Sequence, residues 1–122
     1  MGSATIEITV DSFKSIIEKD GIVLIDWWAP WCGPCRAFGP VFEKVAEANP
    51  DITFGKVNTQ DQQALAEQFE IRSIPMLMVF RDRVRLFSQA GAMPQKALEE
   101  LVEQVRSVDM DEVRRELAKE KQ

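Results

Sequence analysis

The stretch Ile22-Val23-Leu24-Ile25-Asp26-Trp27-Trp28 is nearly continuous apolar sequence, stopped at once by Ala29-Pro30. A short run of this kind reads as a strand covered on both faces, the central position of a sheet. Directly after the break comes Trp31-Cys32-Gly33-Pro34-Cys35, and from Cys32 to about Asn49 the pattern becomes helical. Phe38, Val41, Phe42 and Val45 recur at spacings of three and four and mark a buried face. Pro40 lies inside that pattern and is expected to bend the helix, because it lacks an amide hydrogen and crowds the preceding turn.

The rest of the chain supplies partners for that strand. Ile6, Ile8 and Val10 alternate with polar residues as in a half-buried strand. Asp11 is a suitable N-cap for a helix with Phe13, Ile16 and Ile17 inward, ending near Asp20-Gly21. A strand is expected over Ile52 to Val57 and a short helix carrying Leu65 over Asp61 to Phe69. Met76 to Phe80 and Val84 to Phe87 read as adjacent strands joined by Arg81-Asp82-Arg83. Pro94 suits the first turn of a last core helix with Leu98, Leu101, Val102 and Val105 inward. This order implies an α/β sheet with helices on both faces.

Length and composition permit this. The 122 residues suit one domain that buries roughly two thirds of its unfolded surface. Residues 1–106 read as that domain. Residues 107–122 read as a charged extension, helical or partly disordered, with Asp111 and Glu112 both able to pair with Arg115. Val113 and Leu117 offer the extension an alternative as a partner-docking helix. Met1-Gly2-Ser3 is assigned no function.

The net charge of −5 argues against a nucleic-acid partner. No apolar run approaches the ~20 residues needed to cross a bilayer, so no membrane association is expected. The amino terminus shows no basic segment followed by an apolar stretch and a cleavage site, which makes the cytoplasm the expected location. A mature secreted form would read the same way.

There are two cysteines and no histidine. Two thiols are too few for a disulfide-rich scaffold or for a zinc site within one chain. The absence of histidine removes Ser-His-Asp and Cys-His hydrolases. A Cys-x-x-Cys pair between a buried strand and a helix has a more specific meaning. The first turn of a helix leaves amide hydrogens unpaired and carries partial positive charge, which stabilises a thiolate. Cys32, nearest that end and on the exposed rim, is the expected nucleophile. Cys35, about one turn on, is close enough to form a disulfide with it. Gly33-Pro34 closes the loop, with Pro34 in the first helical turn. The alternatives are a pair of inert small hydrophobes or half of an intermolecular metal or iron–sulfur site.

Asp26 is the other informative residue. Burial of a carboxylate inside an apolar strand raises its pKa, and such an acid can take up and return a proton near neutrality. With no histidine present, Asp26 is the best available base for Cys35; the alternative is a strand-end carboxylate that reaches water.

The segment Asp26-Trp27-Trp28-Ala29-Pro30-Trp31-Cys32-Gly33-Pro34-Cys35-Arg36 resembles the active-site segment of the thioredoxin family. Ser73-Ile74-Pro75 resembles its second landmark, where the proline follows a cis peptide bond, and Ala90-Gly91-Ala92 resembles the third loop at the same surface. The resemblance covers about residues 5–106. It implies a thioredoxin fold, with a five-stranded mixed sheet flanked by four helices, and protein-disulfide reductase activity. Gly-Pro between the cysteines resembles the reductases rather than the isomerases and oxidases. Within it, Lys56 matches the lysine that approaches the buried aspartate. Trp28 is expected under the loop, Arg36 toward solvent. Trp31, Gly33, Pro34, Ile74, Pro75, Gly91 and Ala92 would form an apolar collar on which oxidised protein substrates dock. The implied electron source is NADPH through a separate thioredoxin reductase, with no cofactor bound to this chain, which is expected to be a monomer. Three departures stand out. Trp27 replaces a common phenylalanine. Met76 follows Pro75 where threonine is usual, which bears on substrate preference. The Arg81-Asp82-Arg83 turn lacks the usual glycine, which leaves its geometry open. A disulfide oxidase or isomerase, and an interaction module whose thiols act as a redox latch, are the competing functions.

Overall fold

A computed structural model describes residues 4–120; Met1-Gly2-Ser3 lies outside the described residues. In chain order the elements are β1 (Thr5–Glu7), α1 (Phe13–Ile17), β2 (Ile22–Trp28), α2 (Gly33–Ala48), β3 (Thr53–Asn58), α3 (Gln63–Gln68), β4 (Met76–Arg81), β5 (Val84–Ala90), α4 (Gln95–Arg106) and α5 (Met110–Glu120). The strands form one five-stranded sheet in the order β1-β3-β2-β4-β5. β3 runs parallel to β1 and β2, whereas β4 runs antiparallel to both β2 and β5. The sheet is therefore mixed, with the apolar run Ile22–Trp28 at its centre.

Alternation along the central strand divides the core in two. Val23, Ile25 and Trp27 join Phe13 and Ile16 of α1, Leu65 of α3, and Met78 and Phe80 of β4. Leu24 points to the opposite side, with Phe38, Phe42 and Val45 of α2 and Leu98, Leu101, Val102 and Val105 of α4. Side chains two apart on a strand share a face, so Asp26 lies on the α2 side with Leu24. Helix α2 continues through Pro40 to Ala48.

Several local expectations differ from the structure. β1 covers three residues, and only Ile8, just beyond it, is buried; Ile6 and Val10 are exposed. At an edge strand one neighbour is missing, so alternation does not guarantee cover on the inner face. Ser12, not Asp11, caps α1, and the Ser12 hydroxyl accepts from the Thr9 amide instead of an amide of the helix. The α1 helix ends at Ile17, the last of its apolar positions and short of the expected stop near Asp20-Gly21. The hairpin between β4 and β5 turns on Asp82 and Arg83, whose φ values of 50° and 72° lie in the left-handed region. This is the pairing of a two-residue mirror-image turn, normally favoured by glycine or asparagine. Two hydrogen bonds to Gly21 support it, from Gly21 N to Asp82 Oδ1 at 2.8 Å and from Asp82 N to Gly21 O at 2.9 Å.

The carboxy-terminal extension is attached to the same end of the sheet. Arg81 Nη1 donates to the carbonyls of Val105 and Val108 at 2.8 Å and of Arg106 at 3.2 Å. Met110 is buried, and Arg114 approaches Asp82 at 3.9 Å. Asp111 pairs with Arg114 rather than Arg115, while the expected Glu112–Arg115 pair forms at 3.6 Å.

Candidate active site

The site is built where β2 runs into α2. Ala29-Pro30 ends the strand, and Cys32 takes an extended backbone as the N-cap of α2. Its Sγ accepts from the Cys35 amide at 3.2 Å, so the sulfur sits where a helix offers its unpaired hydrogens. Pro34 occupies the first turn, where its missing amide hydrogen costs nothing. The Cys32 amide is itself held by the Ala29 carbonyl at 3.2 Å. Cys32 and Cys35 are joined in a disulfide with their Cα atoms 5.2 Å apart.

Both sulfurs are more enclosed than their loop position suggests. Cys32 is 5% exposed and Cys35 3%, so Cys32 does not stand on an exposed rim. Ala29, Trp28 and Ile74 pack around the pair. The exposed members of the loop are Trp31, at 68%, with Gly33 and Pro34 beside the disulfide. Arg36 faces solvent and donates to the Pro30 carbonyl at 3.1 Å.

A second loop closes over the sulfurs. The Ile74–Pro75 peptide bond is cis, and the Ile74 carbonyl oxygen lies 3.8 Å from Cys32 Sγ. Pro75 is buried and its carbonyl accepts from the Gly91 amide at 2.8 Å, which joins the third loop to the second. Gly91 adopts a φ of 107°, a conformation open to glycine and rarely to other residues. Ala92 is exposed and lines a surface groove with Phe87, Gln89 and Met93.

On the α2 face of the sheet, two residues before Trp28, Asp26 is fully buried and neither carboxyl oxygen has a hydrogen-bond partner. Desolvation raises its pKa to about 7, and the nearby Lys56 charge opposes that rise. Asp26 and Lys56 are register partners on β2 and β3. The Lys56 ammonium stands over the Trp28 ring, 4.8 Å from its centroid. Among the described residues, no group of three or more His, Cys, Asp or Glu side chains is placed to hold a metal ion.

Three further residues shape the site without having been singled out from the sequence. Ala29 fills the space beside the disulfide. Thr59 donates to the Trp28 carbonyl through its amide at 2.8 Å and its hydroxyl at 3.0 Å. At Gly39 a side chain would begin 3.5 Å from Lys56 Nζ. A glycine inside a helix costs about 1 kcal/mol relative to alanine, so Gly39 carried a legible signal, although 3.5 Å is an ordinary contact distance that an alanine could keep. Ala29 and Thr59 carried none.

The thioredoxin family model matches residues 4–104 of this chain. The chain belongs to the thioredoxin family. A Streptomyces coelicolor relative bearing the name "Putative thioredoxin 2" is 51% identical over 118 residues, covering 97% of this chain and 88% of the relative. Thioredoxin 1 of Synechococcus elongatus is 42% identical over 98 residues, covering 79% and 92%. Among solved structures, a variant thioredoxin from Halobacterium salinarum superposes with a TM-score of 0.78 at 26% identity, covering 89% of this chain and 97% of that one. The Malassezia sympodialis thioredoxin gives 0.74 at 33% identity, covering 84% and 91%. As a thioredoxin-family protein the chain is a thiol–disulfide oxidoreductase with the Cys32–Cys35 pair as its functional group. Members of the thioredoxin family exchange dithiols for disulfides with protein substrates and are served by a reductase. Among the described residues no helix is long and apolar enough to cross a membrane.

Proposed function

We propose that this chain reduces disulfides in oxidised proteins, with Cys32 as nucleophile and Cys35 as the resolving thiol. The observation that carries this reading is the position of Cys32 Sγ at the N-cap of α2, accepting the Cys35 amide at 3.2 Å. The same contact strengthens when the sulfur is a thiolate, because hydrogen bonds to charged acceptors are about twice as strong. The Cys32 thiolate attacks a substrate disulfide, forms a mixed disulfide and expels one substrate thiolate. Cys35 passes its proton to the ionised Asp26 and attacks Cys32 Sγ. That step expels the second substrate thiolate and closes the Cys32–Cys35 disulfide. Two electrons have then moved from the chain to the substrate.

Asp26 suits proton transfer because, with a pKa of about 7, it is present in both forms near neutral pH. Lys56 tunes that equilibrium. The docking surface is the collar of Trp31, Gly33, Pro34, Ile74, Pro75, Gly91 and Ala92, with Trp28 supporting it from below. An extended peptide pairing with the backbone beside Pro75 would bind with little demand on its sequence. Met76 at the start of β4 adjoins this surface and is assigned to substrate preference.

The proposed setting is the cytoplasm, where the chain acts as a monomer in maintaining thiol balance. NADPH supplies the electrons through a separate thioredoxin reductase. Insulin disulfide reduction tests the reading: sustained turnover is expected with NADPH and a thioredoxin reductase, and loss of turnover without them. No reduction by the dithiol form would overturn it. Net disulfide formation in a reduced substrate would instead identify an oxidase, and rearrangement of mispaired disulfides without net reduction an isomerase.

A further inference from the structure

Asp26 and Lys56 are neighbours in register on adjacent strands, and each has reason to seek the other. The carboxyl is fully buried with both oxygens unpartnered. Yet the Lys56 ammonium is seated on the Trp28 ring, 4.8 Å from the centroid, and makes no ion pair with Asp26 within 4 Å among the described residues. A cation within about 6 Å of an indole centroid is held by the negative face of the ring. The ammonium also lies against α2: a Cβ at Gly39 would stand 3.5 Å from Lys56 Nζ, an ordinary contact distance.

We propose that Trp28 is a positioning residue for proton exchange at Asp26, its indole face holding the Lys56 ammonium off the carboxyl. The functional part of this inference rests on the reading of Asp26 as the proton acceptor for Cys35. The spatial part does not. Trp28 packs on the cysteine pair and also carries the cation, so one ring links the disulfide loop to the charge that opposes ionisation. With the ring in place, Lys56 acts on Asp26 through space and leaves both oxygens free to receive a proton. A direct ion pair would hold the carboxylate ionised and occupy the oxygens.

Two carboxylates flank Lys56 in register, Asp26 on β2 and Glu7 on the edge strand β1, and Glu7 is exposed. β3 contributes Lys56 itself, and β4 places Leu77 opposite Asp26. The α4 helix buries Leu98, Leu101, Val102 and Val105 on this side, and α2 buries Cys35 as its titratable side chain. Glu7 meets solvent at the sheet edge, so Asp26 is the buried carboxylate beside a released Lys56.

The test is a double-mutant cycle between Trp28 and Lys56, read by NMR titration of the Asp26 carboxyl carbon in the full, oxidised chain. Trp28→Leu is expected to lower the Asp26 titration midpoint by about one pH unit, the scale of a new ion pair. Trp28→Phe keeps a weaker ring and should give a smaller fall. In the Lys56→Met background the same changes should move the midpoint little, because the cation is gone. An equal fall in both backgrounds would assign the effect to water entry and overturn the proposal, as would no change or a rise. If Trp28→Leu does not fold, the Trp28→Phe arm decides by the same criterion. The titration needs no substrate, so it stands apart from insulin turnover, whose failure would remove the catalytic reading and leave the Trp28–Lys56 link intact.

Discussion

Cys32 Sγ and the Ile74 carbonyl oxygen stand 3.8 Å apart, although 42 positions separate the two residues in the chain. The N-cap of α2 and the cis-proline loop thus meet at one end of the sheet. Exposure does not separate the two cysteines, at 5% and 3%; what distinguishes Cys32 is this approach to the Ile74 carbonyl.

With Cys32 at the α2 N-cap as the proposed nucleophile, Cys35→Ser should accumulate a mixed disulfide with an oxidised protein substrate, and Cys32→Ser should not. Non-reducing electrophoresis and mass spectrometry would identify the adduct. Trapping by Cys32→Ser alone would reverse the assigned roles.

The buried carboxyl makes stability depend on pH. Asp26 ordinarily titrates near 3.8 but is raised to about 7 in the folded chain, so the folded state holds its proton where the unfolded state has released it. Between those values the folded state binds more protons, and stability falls as pH rises. Above about pH 7 both states are ionised, and the full cost of burying the charge is present. Asp26→Asn should therefore stabilise the oxidised protein at pH 8 relative to pH 4 by about 2–4 kcal/mol. Urea unfolding at the two pH values measures this, and an equal effect of the substitution at both would contradict the raised pKa. If Asp26 also relays the proton of Cys35, the same variant should slow insulin reduction near neutral pH.

Arg81 should matter for the extension and not for the chemistry. Its Nη1 satisfies three carbonyls where α4 leads into α5. In Arg81→Met those acceptors lose a charged donor, with an expected cost of about 1–3 kcal/mol. Hydrogen exchange should rise first in residues 107–120, while turnover with insulin stays near that of the unsubstituted chain. Unchanged exchange there would show that Met110 and the Arg114–Asp82 pair suffice.

Gly55 sits in β3 directly against Ile8, which is fully buried. A Cβ at Gly55 would lie 2.8 Å from Ile8 Cγ1 and closer still to Ile8 Cδ1. Overpacking of this kind costs about 1–3 kcal/mol. Gly55→Ala should lower the urea midpoint by a corresponding amount, and adding Ile8→Val, which removes Cδ1, should recover part of it. Additive losses in the double variant would mean that the two residues do not clash.

Much of this arrangement was legible in the chain. Ile22–Trp28 declared a central strand because burial on both faces requires unbroken apolar sequence. The change to helical spacing at Cys32 placed the cysteine pair at a helix start. Leu98, Leu101, Val102 and Val105 declared the inward face of α4, and all four are buried. The edges were less legible. Ile6 and Val10 keep the pattern of an inner face, yet β1 has one neighbour and nothing covers them sufficiently. The hairpin at Asp82-Arg83 was obscure because its support comes from Gly21, just before the neighbouring strand β2 and far away in the chain.

Local sequence determined the elements and the type of chemistry, because periodicity and the spacing of two cysteines are properties of neighbouring residues. The tertiary structure alone decided three things. It enclosed Cys32, it set Ile74 against that sulfur, and it seated the Lys56 ammonium on Trp28 rather than on Asp26. Each depends on where separate strands and loops come to rest against one another. Contacts of that kind arise from packing between distant segments, which no spacing along the chain encodes.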